Sequence, residues 1–314
     1  MASGYQSAPR ALFSSVPRDG FFFTPKRGTL DPMPTTTLKP GIVPHRPIGL
    51  FDSGLGGLTV LRELARLLPE ERFLYLGDTA RLPYGTKGAT TIVRYARECA
   101  RFLVERNVKA LVIACNTASS VGLDILREEL PCVVIGTIEP AAEAAIARTT
   151  TGGIAVIGTD ATVASGAYER AIAARAPHLT VISKACPLFV PLVEQGMFEG
   201  EIVERVVELY LGEIDFSRFD TLILGCTHYP LLKKAIRAKV GGSVSIIDSA
   251  VPIAHELERV LGAADLCRPS GLPRGSHTFF ATDEIGRFNR LAAILLENEP
   301  VTAVKVEELA LLDE

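Results

Sequence analysis

The chain contains no tryptophan, and its aromatic residues make up only 7%. Any core must therefore be built mainly from aliphatic side chains. No apolar run approaches the roughly 18 residues that mark a membrane-spanning helix. The six cysteines, at 99, 115, 132, 186, 226 and 267, form no CxxC pair. In a chain of this length that argues against a disulfide scaffold and predicts reduced thiols in a cytoplasmic protein. A GxxxxGK[ST] phosphate loop is missing too. The net charge of -3 lacks the basic excess expected of a general nucleic-acid or anionic-membrane binder.

What is present is bulk. With 314 residues, 47% of them hydrophobic, the chain can bury one large core or two ordinary ones. The first 46 residues differ from the rest. They hold seven prolines, and six Lys or Arg against two acids. That is +4, which leaves -7 for the remainder. Their only apolar cluster, Phe21-Phe22-Phe23, is too short for a signal-peptide core. A Pro-rich, disordered extension or a start codon placed too far upstream is expected for residues 1–46, with a regulatory or targeting segment as the alternative.

From Pro47 onward the pattern is regular. Short apolar runs at Ile48–Phe51, Phe73–Leu76, Ala110–Ala114 and Val133–Ile135 read as buried parallel strands. Gly57–Leu68 and Thr90–Glu105 read as helices, the first with apolar residues at 58, 61, 64, 65 and 68 and Pro69 behind it. Such alternation predicts an α/β fold. The pattern then restarts. Ile154–Ile157 followed by GTDATVASG parallels Ile48–Phe51 followed by DSGLGGLTV, at an offset of 106. KALVIACNT parallels DTLILGCTH at an offset of 111. Two similar α/β units are predicted, although parts of parallel-sheet proteins can also look alike by chance. The second copy places Cys226 where the first places Cys115, each at the carboxyl end of a strand, where open α/β sheets carry their sites.

A thiol has a reference pKa near 8.5, and a helix N-terminus or a cation lowers it. Asn116-Thr117 and Thr227-His228 add donors and acceptors beside each sulfur. Two matched thiols suit a symmetric task, such as removing a Cα proton on one face and returning one on the other. Asp52-Ser53 and the glycines of IGLFDSGLGGLT form a turn able to receive a carboxylate on backbone N–H groups, with Asp52 available to a substrate ammonium. Read alone, this is equally a tight strand-helix turn with a capping Asp or Ser. GDTARLPYGTKG, with Tyr84 and Gly85, is by itself only a loop after a strand.

Together, FDSGLGGLTVL, YLGDTARLPYGTKG, ALVIACNTAS, IGTDAT, CPLFVPLVEQG and LILGCTHYPLL resemble the glutamate racemases of the aspartate/glutamate racemase family, in that family's order and from about residue 47 onward. The resemblance implies two flavodoxin-like parallel-sheet domains with pseudo-two-fold symmetry and the active site between them. It divides the chain into 47–140 plus 250–314, and 141–249. It implies that Cys115 and Cys226 are the acid/base pair, assisted by Asp52, His228 and Glu194. Ser53, Tyr84, Gly85, Asn116, Thr117, Thr159 and Thr227 would hold glutamate, together with Asp52 and His228. No cofactor and no metal are implied. A cytoplasmic homodimer supplying D-glutamate for peptidoglycan is expected, with activation by UDP-N-acetylmuramoyl-alanine as a property of some members. His228 favours glutamate over aspartate, because related aspartate racemases commonly carry Glu there. Cys99, Cys132, Cys186 and Cys267 are expected to be ordinary buried thiols without polar partners. Two further readings stand beside this one: a metallohydrolase using Cys115, Cys226, His228 and Asp52, and a thiol redox or ligand-binding protein in which Cys115 and Cys226 form a reversible disulfide.

Overall fold

A computed structural model describes residues 42–296, 302–306 and 309. The expectations for residues 1–41 lie outside the described residues. Among the described residues ten strands form two sheets, with every pairing parallel. In chain order they are β1 (Ile48–Asp52), β2 (Phe73–Gly77), β3 (Ala110–Ile113), β4 (Val133–Gly136), β5 (Gly153–Gly158), β6 (Thr180–Ala185), β7 (Thr221–Gly225), β8 (Ser245–Asp248), β9 (His277–Ala281) and β10 (Ala303–Lys305). The first sheet has the order β10-β9-β2-β1-β3-β4 and the second β6-β5-β7-β8.

The repeat is visible in these orders. Strands β2-β1-β3-β4 of one sheet correspond to β6-β5-β7-β8 of the other, both in the flavodoxin-like sequence second-first-third-fourth. The two sheets are the two α/β domains predicted from the sequence. The central strands β1, β3, β5 and β7 are buried along their whole length. Helices cover both faces, so the strands need apolar side chains on both sides and appear as unbroken apolar runs.

Helix Leu58–Leu67 buries Leu58, Leu61, Leu64 and Ala65, the stripe its spacing predicts. It packs on one face of the first sheet with helices Ala250–Ala263 and Ile285–Leu295. Helices Ala89–Val104 and Asn116–Glu129 cover the other face. The second sheet is flanked in the same way by two clusters. One element departs from the simple pattern. The residues after β5 form two helices, Asp160–Ala164 and Ala167–Arg175, because Gly166 takes a left-handed conformation at φ 63° and breaks the run.

A buried cation ties the first unit together. Lys109 Nζ, fully buried, contacts Glu71 and donates to the carbonyls of Pro44 and Leu266 at 2.8 and 2.7 Å. It anchors residues near 44 and 266 to the start of β3.

Candidate active site

Cys115 lies just beyond β3 and Cys226 just beyond β7, at equivalent exits of equivalent strands. Both positions fall where strand order reverses direction, the switch point at which open α/β sheets bind ligands. Cys115 caps helix Asn116–Glu129, and its sulfur accepts the Ala118 N–H at 3.5 Å. It also lies 3.6 Å from Ser53 Oγ. Those two contacts favour the thiolate, but burial outweighs them. Burial, with the Asp52 charge adding to it, pushes the Cys115 thiol up to about 12. The helix N-terminus expected to lower this thiol is present, yet the dry surroundings win. The Cys226 charge is near enough to raise Cys115 further.

Asp52 ends β1 and is fully buried. Its Oδ2 accepts the Gly54 N–H at 3.0 Å, and its Oδ1 accepts the Thr227 hydroxyl at 3.2 Å. Burial raises this carboxyl above its ordinary range, against the pull of His228 and of those donors. The glycines after it are required by close approach. A Cβ on Gly56 would sit 2.3 Å from Thr227 Oγ1, and one on Gly57 2.6 Å from Asp52 Cβ.

His228 follows Cys226 by two residues, with Nδ1 4.0 Å from Cys226 Sγ and 3.5 Å from Thr227 Oγ1. Its Nε2 lies 2.6 Å from Glu194 Oε1. Burial alone would lower this imidazole. Cys226 and Glu194 overcome that and push it up to about 10. Burial works against the Glu194 charge as well, but His228 and Arg287 more than compensate and hold it below the ordinary carboxylate range. A hollow lined by Leu55, Val193, Phe198 and Leu291 backs the pair.

Ten of the predicted residues line one cleft: Ser53, Tyr84, Gly85, Cys115, Asn116, Thr117, Thr159, Cys226, Thr227 and His228. Asp52 and Glu194 stand behind that lining and reach it through Thr227 and His228. The Thr117 hydroxyl meets that of Thr159 at 2.9 Å and that of Thr162 at 3.2 Å, joining the two units. Gly85 packs on Thr159 so closely that a Cβ would lie 2.5 Å from the threonine Cβ. Tyr84 lends its ring to the wall, while its hydroxyl donates to Asp78.

The family model for Asp/Glu/hydantoin racemases matches residues 48–257, which takes in the whole second unit and the larger part of the first. The chain belongs to that racemase family. A glutamate racemase of Geobacter metallireducens is 46% identical over 249 residues, covering 79% of this chain and 92% of its own. Among solved structures, a glutamate racemase isoform of Bacillus anthracis superposes with a TM-score of 0.80 at 39% identity, covering 84% of this chain and 98% of the other. The Escherichia coli glutamate racemase, solved with L-glutamate and the activator UDP-MurNAc-ala, gives 0.67 at 28% identity, covering 83% and 98%.

This racemase carries polar partners at the cleft that its sequence did not disclose. Asn116 Nδ2 donates to Tyr168 and Ser249, each at 2.8 Å, while its buried Oδ1 has no protein partner. Arg287 contacts Glu194 from helix Ile285–Leu295. None of these residues has a local motif; only the fold brings them together. Three expectations for the other cysteines need correction. Cys186 is buried, but its thiol donates to the Lys184 carbonyl at 3.7 Å, because it sits at the exit of β6 beside that carbonyl. Cys267 is exposed, because it lies in the loop between a helix and β9 and not on a core-facing element. Cys99 is buried but has polar neighbours, with Tyr84 Oη at 3.7 Å and Arg81 at 3.8 Å, because its helix faces the Asp78 loop. All six cysteines are free thiols. Among the described residues no three His, Cys, Asp or Glu side chains converge to hold a metal.

Proposed function

We propose that this racemase interconverts L- and D-glutamate by proton transfer through two thiols. The observation that carries the reading is the placement of Cys115 and Cys226 at equivalent strand exits lining one cleft. One sulfur, as thiolate, takes the Cα proton. The other, as thiol, delivers a proton to the opposite face, and the roles exchange for the other enantiomer. Because Cys115 rests high, it must lose its proton to act as a base. Asp52 is the buried carboxylate within electrostatic reach, and its own raised value suits it to take that proton. On the other side, the His228–Glu194 pair manages the charge of Cys226.

Ser53, Asn116, Thr117, Thr159 and Thr227, with the Tyr84-Gly85 wall, hold the substrate carboxylates and ammonium in this reading. The unpartnered Asn116 Oδ1 is an acceptor suited to the ammonium. His228 favours glutamate over aspartate. D-Glutamate for peptidoglycan, a cytoplasmic location and a homodimer go with the assignment, as does a response to UDP-N-acetylmuramoyl-alanine like that of the Escherichia coli enzyme.

Circular dichroism of each glutamate and aspartate enantiomer incubated with the protein, with and without that precursor, tests the reading. Glutamate should racemise from either side, and Cys115→Ser and Cys226→Ser should each abolish turnover. Full activity in either variant would rule out the two-thiol mechanism. Light scattering reports the oligomeric state.

A further inference from the structure

The structure assigns Arg287 as a positioning residue for the Cys226 side of the reaction, fixing the Glu194 carboxylate against the His228 ring from across the cleft. The inference rests on the reading above that Cys226 and His228 take part in proton transfer. It stands on geometry. Arg287 belongs to helix Ile285–Leu295, whose Phe288, Ala292 and Leu295 are buried in the core of the first unit. Glu194 ends helix Phe189–Glu194 in the second unit. The guanidinium lies 3.1 Å from Glu194 Oε2 and also donates to the main-chain carbonyl of the same residue. The other carboxylate oxygen, Oε1, is left to His228 Nε2.

Each oxygen of Glu194 thus faces a different cation, and the backbone beneath it is held as well. A planar guanidinium can make both contacts at once. His228 and Arg287 are the charged groups that face Glu194, one from the turn after β7 and one from the C-terminal helix. The result is a line of contacts from Cys226 through His228 and Glu194 to Arg287. Its last member belongs to the other unit. Any opening of the cleft that withdraws Arg287 loosens the imidazole that serves the second thiol.

Removing the guanidinium charge leaves a mostly buried carboxylate with one cation in place of two. An opposite charge at this distance moves a carboxyl by about one unit or more, and Arg287 is itself one-third exposed, which favours the lower end. The test uses the full chain with Arg287→Gln, Arg287→Ala and Arg287→Lys. Gln keeps a donor and much of the bulk without the charge. In Arg287→Gln the Glu194 side-chain carboxyl, followed by carbon-13 NMR, should titrate about one unit higher than in the wild type. The acid limb of the kcat/KM profile for glutamate should move up with it, and kcat should fall about tenfold. Lys should restore most of both.

An unchanged Glu194 titration in Arg287→Gln overturns the inference, whatever the enzyme's substrate proves to be. So does a wild-type kcat and profile in a folded Arg287→Gln whose melting temperature alone has dropped, since that describes a structural latch. If the wild type fails to racemise glutamate, the functional reading falls, and the Glu194 titration still decides whether Arg287 acts on the pair.

Discussion

The Thr227 hydroxyl donates to Asp52 Oδ1 at 3.2 Å, so the exit of β7 is hydrogen-bonded to the exit of β1 across the cleft. The other oxygen of Asp52 accepts the Gly54 N–H at 3.0 Å. An asparagine in this position has one acceptor for two donors. Asp52→Asn keeps both contacts only if the Thr227 hydroxyl turns to accept from the amide, and it removes the buried base beside Cys115. We expect kcat to fall by about 10²–10³, as measured by steady-state racemisation in both directions. A kcat within twofold of wild type would remove Asp52 from the mechanism.

The turn after β1 is packed against the opposite unit without room for a methyl group. Gly56→Ala would place a Cβ 2.3 Å from Thr227 Oγ1 and 2.7 Å from His228 Nδ1. Both groups must move, by several tenths of an ångström or more. Misplacement on this scale costs about a hundredfold in kcat/KM, while the far-ultraviolet circular dichroism should stay that of the wild type.

His228 links stability to pH. Its folded value, about 10, lies above the ordinary 6.5. A raised value means the protonated form stabilises the fold. That contribution is complete below about pH 6.5 and is lost as pH rises through about 10. Urea unfolding of wild type and His228→Gln at pH 6, 8 and 10 should show the gap between them narrowing with pH. A gap that widens would place the imidazole neutral in the fold.

Lys109 and Glu71 form a buried ion pair, with side chains 0% and 3% exposed and 2.6 Å between Nζ and Oε2. Lys109→Met leaves Glu71 buried with the Arg268 N–H but without its ion-pair partner. Breaking one side of such a pair costs about 3–5 kcal/mol, and the additional change Glu71→Gln should recover part of it. Denaturant titration of the single and double variants measures both.

The strands and thiols could be read from the sequence for a physical reason. A parallel strand covered on both faces must be an unbroken apolar run, as in ALVI and TLILG, so its end is marked by the first polar residues. The repeat in the sequence pairs Cys115 with Cys226. Asp52, Thr117, Thr227 and His228 are legible because they adjoin those strand ends, whereas Thr159 and Glu194 come only from the family resemblance. Arg287, Tyr168, Ser249 and Lys109 were not legible. Each acts on a partner far away in sequence, and a lone Arg or Lys on an amphipathic helix or at a strand edge looks like any solvated cation until the fold supplies the partner. The split at Gly166 depends on one left-handed residue in an otherwise helical run, which the spacing of apolar residues does not report. For Cys115, proximity to a helix N-terminus suggested a lowered thiol, and only the burial around it shows that the balance tips the other way.

The most direct test of the two-thiol account follows the Cα hydrogen itself. L-Glutamate is incubated with the protein in heavy water and stopped after a few per cent conversion, and both enantiomers are separated and weighed by mass spectrometry. The account predicts D-glutamate carrying deuterium at Cα while the remaining L-glutamate keeps its protium, because one sulfur removes the proton and the other delivers a solvent-derived one. Product D-glutamate that retains protium, or recovered L-glutamate labelled as fast as product forms, would mean that a single group serves both faces and would contradict it.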